Sequence, residues 1–303
     1  MLRGALLFLS RQKHLRRWME TSPAAELLTR RFVAGKTLAR ALAVCRRLNA
    51  EGLLVSLDHL GENVTSVEEA RLSRDAYIQA LRAIAAEGLQ ATVSIKLTQF
   101  GLDLSEELCR ENVEGLVAAA SGLGGFVEVD MESSEYVDRT LCLVSDMHER
   151  HGAVRAVIQA YLYRSAGDID MLCQKGIPVR LCKGAYREPH SIAFRSKRDV
   201  DANYVHLVQT LLKRGVYPGI ATHDPNMVQA ARRSAAALGL APDRFEFQML
   251  YGIRRDLQRK LIAGGYRVRL YVPYGDAWYP YLMRRLAERP ANVLFIARNL
   301  LRR

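Results

Sequence analysis

Two arginines stand side by side in "YLMRRLAE" at residues 281–288. On a helix Arg284 and Arg285 point about 100° apart. Glu288 lies four residues past the first and three past the second, within reach of both. A guanidinium presents planar paired donors that match a carboxylate, so such a fork can hold an acid. An exposed helix also carries these charges at no cost, and the octapeptide alone does not choose. Other polar residues fall at or near the ends of short apolar runs: Lys96 in "ATVSIKL", Asp130 in "GFVEVDM", Gln159 in "AVIQAYL", Lys183 in "IPVRLCKGAY" and His223 in "YPGIATHD". A desolvated lysine in such a place can form a Schiff base with a carbonyl. Arg180, three residues before Lys183, makes a cationic cluster that suits an anionic, planar cofactor with a pyrophosphate equally well. Both chemistries stay open at this point.

These residues need a scaffold that brings strand ends together. Eight β-branched, apolar runs occur, at 53–59, 91–97, 125–131, 156–162, 177–186, 217–224, 244–250 and 267–275. Helical stretches separate them, such as "SVEEARLSRDAYIQALRAIAAEG" and "PNMVQAARRSAAALG", the second opening on proline and stopping at glycine. Asp58, Lys96, Asp130, Gln159, Lys183, His223, Leu250 and Tyr271 mark the strand ends, 21 to 40 residues apart. That spacing suits one strand and one helix per unit, hence a parallel sheet. Eight units predict an α/β fold closed into a (β/α)₈ TIM-type barrel, with a doubly wound sheet as the alternative. Residues 1–50 read as an N-terminal helical segment packing on the barrel, and 51–303 as the barrel with a C-terminal helix. Barrel active sites lie at the C-terminal ends of the strands, so the marker residues would share one mouth.

The 303 residues, 49% of them hydrophobic, suffice for one large domain. The formal net charge is +12, spread along the chain apart from "RQKHLRR" at 11–17. Without a recognisable nucleic-acid module this does not indicate nucleic-acid binding. Cysteines 45, 109, 142, 173 and 182 form no C-x-x-C pair, which fits a reducing, cytoplasmic setting. No apolar run approaches the ~20 residues of a membrane span. The Gly-rich dinucleotide fingerprint, the P-loop, paired metal-binding histidines on one strand and the G-x-S-x-G elbow are all missing.

The ordered segments "VSIKLTQFGLD", "VEVDME", "VIQAYLYR", "VRLCKGAYRE", "ATHDP", "FEFQMLYG" and "YVPYGDAWYPYLMRRLAE" resemble the motifs of the proline dehydrogenase family, most closely its compact monofunctional bacterial form. The resemblance runs from about residue 53 to 300, one motif per strand. It implies a distorted (β/α)₈ barrel with extra N-terminal helices and FAD at the mouth without a Rossmann domain. It implies oxidation of L-proline to Δ1-pyrroline-5-carboxylate by hydride transfer to flavin N5, with electrons passed to a quinone. No fused aldehyde dehydrogenase is expected, since the chain ends soon after the barrel.

By the same resemblance, Met131 and Gln159 approach the flavin ring, and Arg180 stands on its flank where negative charge develops on reduction. Lys183, Gly184 and Ala185 line the cofactor, and Thr222 and His223 contact its phosphate–ribose portion. Lys96, Arg284 and Arg285 hold the proline carboxylate with Glu288 bracing the fork, while Tyr186, Leu250 and Tyr271 pack around the ring. Asp130 belongs to the catalytic set as an electrostatic and hydrogen-bonding partner, with Lys96 as its expected neighbour. A quinone acceptor raises a peripheral contact between the basic N-terminus and anionic lipid on the inner face of the membrane. The plainer reading of that segment is a helix beneath the barrel with a solvated basic face.

Overall fold

A computed structural model of the chain describes residues 30–61 and 63–288, and of 284–288 the helical backbone alone. Strands β1 Leu54–His59, β2 Ala91–Ile95, β3 Val127–Val129, β4 Val154–Gln159, β5 Val179–Cys182, β6 Gly219–Ala221, β7 Glu246–Leu250 and β8 Arg267–Tyr274 pair in parallel in chain order. β8 closes on β1 with Ser56 opposite Tyr271, which completes the expected barrel. Each of the eight apolar runs supplies one strand.

Several runs were drawn past their strands, those of β4 and β5 among them. β4 stops at Gln159 because its carbonyl is taken by the Ser165 hydroxyl at 2.6 Å and by Leu162 N–H at 3.2 Å, which closes a turn. β5 stops at Cys182, two residues before Gly184 adopts a left-handed φ of 103° that no strand continues through.

The described helices are α1 Leu38–Ala50, α2 Val67–Ala86, α3 Glu106–Gly122, α4 Val137–His151, α5 Ser165–Gln174, α6 Lys197–Arg214, α7 Pro225–Ala237, α8 Arg255–Ala263 and α9 Trp278–Glu288. Side-chain caps fix several starts. Ser66, Ser105, Ser196 and Asp224 each accept from a backbone N–H of the first turn, and Pro225 follows the last of these in the first helical position. None of the described helices is long and apolar enough to cross a membrane.

Strand residues alternate between two environments. Val127, Val129, Leu181, Ile220, Phe247 and Leu270 are buried in the layer between sheet and helices. Each such side chain stabilises the fold by about 1.5–3 kcal/mol. The intervening positions point into the barrel, and many are charged. Glu128, Arg155, Glu246 and Arg269 are all buried there, joined by hydrogen bonds across the lumen. Gly219 on β6 leaves them room: a Cβ there would lie 2.9 Å from Gln248 Nε2.

The ends of the chain depart from a regular barrel. α1 precedes β1 and packs outside against β1 and β8, burying Ala41, Leu42, Cys45 and Leu48 in the main core. The helix after β8 goes elsewhere. α9 buries Trp278, Tyr279, Leu282 and Met283 in a separate cluster with Phe32, Val33, Leu60 and Ile253. Leu60 follows β1 and Ile253 follows β7, so α9 lies over the strand ends.

Candidate active site

Asp130 is the centre of the mouth. It follows β3, and both of its oxygens are engaged: Oδ1 accepts from Arg180 Nη2 at 2.5 Å and Oδ2 from the Tyr271 hydroxyl at 2.7 Å. The Lys96 ammonium completes the group, 3.6 Å from Asp130 Oδ2, 3.4 Å from Asp58 Oδ1 and 3.3 Å from Tyr271 Oη. The Arg180 guanidinium also lies 5.5 Å from the centroid of the Tyr271 ring, a cation–π distance. Strands β1, β2, β3, β5 and β8 thus deliver one polar residue each to a single contact set.

Burial disfavours the charge of Arg180, but Asp130 and Glu128 outweigh it and hold the guanidinium's pKa above its ordinary value. Burial raises the Tyr271 phenol well above its usual range, reinforced by Asp130 and Asp58, so it remains a donor at neutral pH. Burial also raises Asp58, against the pull of Lys96.

A second group surrounds β4. Gln159 Nε2 donates to the carbonyls of Met131 and Glu132 at 3.1 and 3.2 Å, which fixes the amide orientation. Its Oε1 is buried with no hydrogen-bond partner, as is Nε of Arg180. Arg180 Nε faces Glu128 Oε2 at 3.6 Å, whereas the open acceptor of Gln159 costs about 1–3 kcal/mol unless a ligand satisfies it.

The third group lies at the ends of β5 to β7. Lys183 sits between Asp201 of α6 and Asp224, the latter at 3.0 Å, and Lys197 shares Asp201. Burial opposes ionisation of both carboxyls, yet the lysines hold them below their ordinary range. Thr222 Oγ1 accepts from Asp224 N–H at 3.1 Å. His223 Nε2 accepts from Leu250 N–H at 2.8 Å, which places the proton of the neutral ring on Nδ1. Lys96 and Lys183 each meet two carboxylates, so both side chains are held in ion pairs rather than presented to a carbonyl.

Gly184, Ala185, Tyr186 and Leu250 have other surroundings. At Gly184, where the cofactor is expected to approach closely, a Cβ would lie 2.1 Å from Cδ1 of Tyr161, so the glycine already makes room for that ring. Ala185 and Tyr186 are exposed on the loop after β5. That loop is tied down by Glu188, which accepts from Ser134 N–H at 2.8 Å and from its hydroxyl at 2.5 Å. Leu250 is partly buried against the α9 cluster. The side chains of Arg284, Arg285 and Glu288 lie outside the described residues, as does the basic stretch at 11–17; the fork's backbone belongs to α9.

Sequence reasoning had used Asp58 only as a strand-end marker and had not singled out Glu128 or Ser94, whose hydroxyl accepts from Arg180 Nη2 at 3.1 Å. Asp58 ends its run as Lys96 and Asp130 do, which was signal enough. Glu128 is an acid inside a strand of valines, and that alternation is the signal that could have found it.

A family model described as proline dehydrogenase matches residues 41–298. Proline dehydrogenase 1 of Bacillus subtilis (strain 168) is 40% identical over 303 residues, covering 100% of both chains. The proline dehydrogenase of Deinococcus radiodurans is 42% identical over 282 residues, 91% of this chain and 90% of that one. Among solved structures, proline utilization A (PutA) from Bdellovibrio bacteriovorus inactivated by N-propargylglycine matches with a TM-score of 0.81 at 25% identity. The match covers 87% of this chain and 33% of that one.

Proposed function

The chain belongs to the proline dehydrogenase family, and from that premise we propose that it oxidises L-proline to Δ1-pyrroline-5-carboxylate with FAD at the barrel mouth and a quinone as electron acceptor. It is an oxidoreductase of proline catabolism, acting at the first step. The observation that carries the finer reading is the Asp130–Arg180–Tyr271–Lys96 set, beside the buried acceptor left open at Gln159 Oε1. That atom fits a flavin, whose polar ring edge offers a donor. Met131, Gln159, Arg180, Lys183, Gly184, Ala185, Thr222 and His223 would hold the cofactor.

When bound, FAD supplies the hydride acceptor. Everything else falls to the chain. Lys96, with Arg284 and Arg285, binds the substrate carboxylate and fixes which ring carbon faces the cofactor. Tyr271 and Leu250 form the wall against the ring's methylenes. One hydride leaves the carbon beside nitrogen and one proton leaves the amine, because only a neutral nitrogen has the lone pair that stabilises the forming iminium. The cations around the site lower the cost of shedding that proton. Asp130 has both oxygens committed, so its part is to orient Arg180 and Tyr271. Arg180 is a fixed positive charge on the cofactor side, worth more in a buried site than in water.

The test is direct. The purified protein is expected to be yellow, to bleach with L-proline under anaerobic conditions, and to release its flavin into the supernatant on acid precipitation. Turnover is expected with a quinone and not with NAD. A colourless protein, or proline-dependent NADH formation, overturns the reading.

A further inference from the structure

Arg180 has a second carboxylate that the site above does not use. Glu128 on β3 and Asp130 just after it lie two residues apart and meet the guanidinium at different nitrogens. Asp130 takes Nη2 at 2.5 Å, while Glu128 Oε2 faces Nε at 3.6 Å. Glu128 itself cannot swing. Oε2 accepts from Arg155 Nη1 at 3.1 Å and Gln248 Nε2 at 2.9 Å, and Oε1 from the Thr92 hydroxyl at 3.2 Å with Arg269 Nε 4.0 Å away. Groups from β2, β4, β7 and β8 therefore clamp one side chain that is wholly buried. On β6, Gly219 keeps the space beside Gln248 and Arg180 clear.

Among the described residues, one connected network of ion pairs running from the lumen to Lys96 joins four cations, Lys96, Arg155, Arg180 and Arg269, with four carboxylates, Asp58, Glu128, Asp130 and Glu246. The set is neutral when all eight are ionised. Glu246 bonds Arg155 and Arg269 and has no described contact with Arg180. Glu128 is the carboxylate common to the lower layer and to Arg180.

We propose that Glu128 is a positioning residue for Arg180: from inside the barrel it fixes the guanidinium's orientation and offsets its charge, and so sets the electrostatic field at the cofactor. This rests on the flavin reading above. Neutralising Glu128 leaves the lumen one positive charge in excess beside Arg180, which favours the reduced, more negative cofactor. Neutralising Glu246 leaves the same excess charge one layer lower, where it acts on the cofactor from farther away.

The experiment compares E128Q, E128D and E246Q holoenzymes by the midpoint potential of the bound flavin. For E128Q the expected result is a positive shift on the order of tenfold in the reduction equilibrium, about 30 mV for a two-electron couple. E128D keeps the charge but withdraws it by one methylene, and shifts the potential the same way by less. It also supplies the test should E128Q not fold. E246Q moves the potential less than E128Q, even with a comparable loss of thermal stability. In flavin-free protein the Arg180 Nε–H resonance is expected to move in E128D and to stay in E246Q. An unmoved potential in the Glu128 variants, or an equal shift in E246Q, overturns the inference alone. A colourless wild type overturns the flavin reading and the inference with it.

Discussion

Asp130 holds Arg180 through one carboxylate oxygen at 2.5 Å while its other oxygen takes the Tyr271 hydroxyl at 2.7 Å. A carboxylate so occupied acts by placing its neighbours. Asp130→Asn keeps the shape but brings an amide donor toward Arg180 or Tyr271. A hydrogen bond to a charged group is worth about 1.5–3 kcal/mol, so kcat/KM for proline is expected to fall roughly 10- to 150-fold. Tyr271→Phe removes only the hydroxyl and leaves the ring; its partners Asp130 and Lys96 are charged too, so the expected loss is again roughly 10- to 150-fold from a bond worth about 1.5–3 kcal/mol. Dye-linked steady-state kinetics measure both. An Asp130→Asn enzyme as efficient as wild type contradicts this role.

Gly184 has a left-handed φ of 103°, and a Cβ there would meet the Tyr161 ring at 2.1 Å. Gly184→Ala therefore incurs a steric clash of about 1–3 kcal/mol and a backbone strain of similar size. The expected outcome is a lower melting temperature and a reduced flavin content. Adding Tyr161→Leu relieves the clash and not the φ strain, so the double variant should recover only part of the stability. Melting curves of the two single variants and the double variant check this; simple additivity contradicts it.

The lumen carboxylates make stability depend on acid. Burial alone would raise Glu128 and Glu246, but Arg180, Arg155 and Arg269 around the first, and Arg269 and Arg155 around the second, hold both below the ordinary range. A carboxyl depressed in the folded state contributes stability that is complete above its unfolded pKa, about 4.3, and lost as pH falls through the folded value. The melting temperature should hold steady down to about pH 5 and then drop. Glu246→Gln should be less stable at neutral pH by about 3–5 kcal/mol, since Arg155 and Arg269 lose a buried counter-ion. It should lose less than wild type on further acidification. Parallel pH profiles for the two proteins would show that Glu246 does not carry the acid sensitivity.

The barrel and part of its mouth were readable from the chain because strand periodicity is local. "ATVSIKL" and "GFVEVDM" announce a strand and its polar end within seven residues. The pairing among those ends was not readable. Tyr271 meets Asp130 across 141 residues, and Gln248 meets Glu128 across 120, distances over which nothing in the sequence marks a partner. "RFEFQML" and "RVRLYVPYG" place polar residues at alternate strand positions, a signal of a polar lumen that the reading of strand ends did not use and that does not say which acid meets which base. Gly184 is a related case: a glycine at a strand end signals a close approach, but not that Tyr161 is one of the groups that approach. The direction of α9 was hidden too, because its apolar face fits a barrel wall as well as a barrel mouth.

That direction bears on the arginine pair. α9 packs through Trp278, Tyr279, Leu282 and Met283 onto residues that follow β1 and β7, so the next turn of the helix, with Arg284 and Arg285, begins over the strand ends. From such a position a guanidinium fork is expected to share the substrate carboxylate with Lys96. Replacing either arginine with Met removes a charge-assisted bond worth about 1.5–3 kcal/mol and should lower kcat/KM for proline roughly 10- to 150-fold. Arg→Lys should recover only part of this, because the point charge returns without the planar donors. Flavin content should stay near that of wild type, since the fork serves the substrate. Pyrrolidine, which lacks the carboxylate, should be a poor substrate for wild type, and the Met variants should lose little further activity on it. Should both Met variants oxidise proline with wild-type efficiency, Arg284 and Arg285 are a solvated helix face, and Lys96 with its neighbours binds the acid alone.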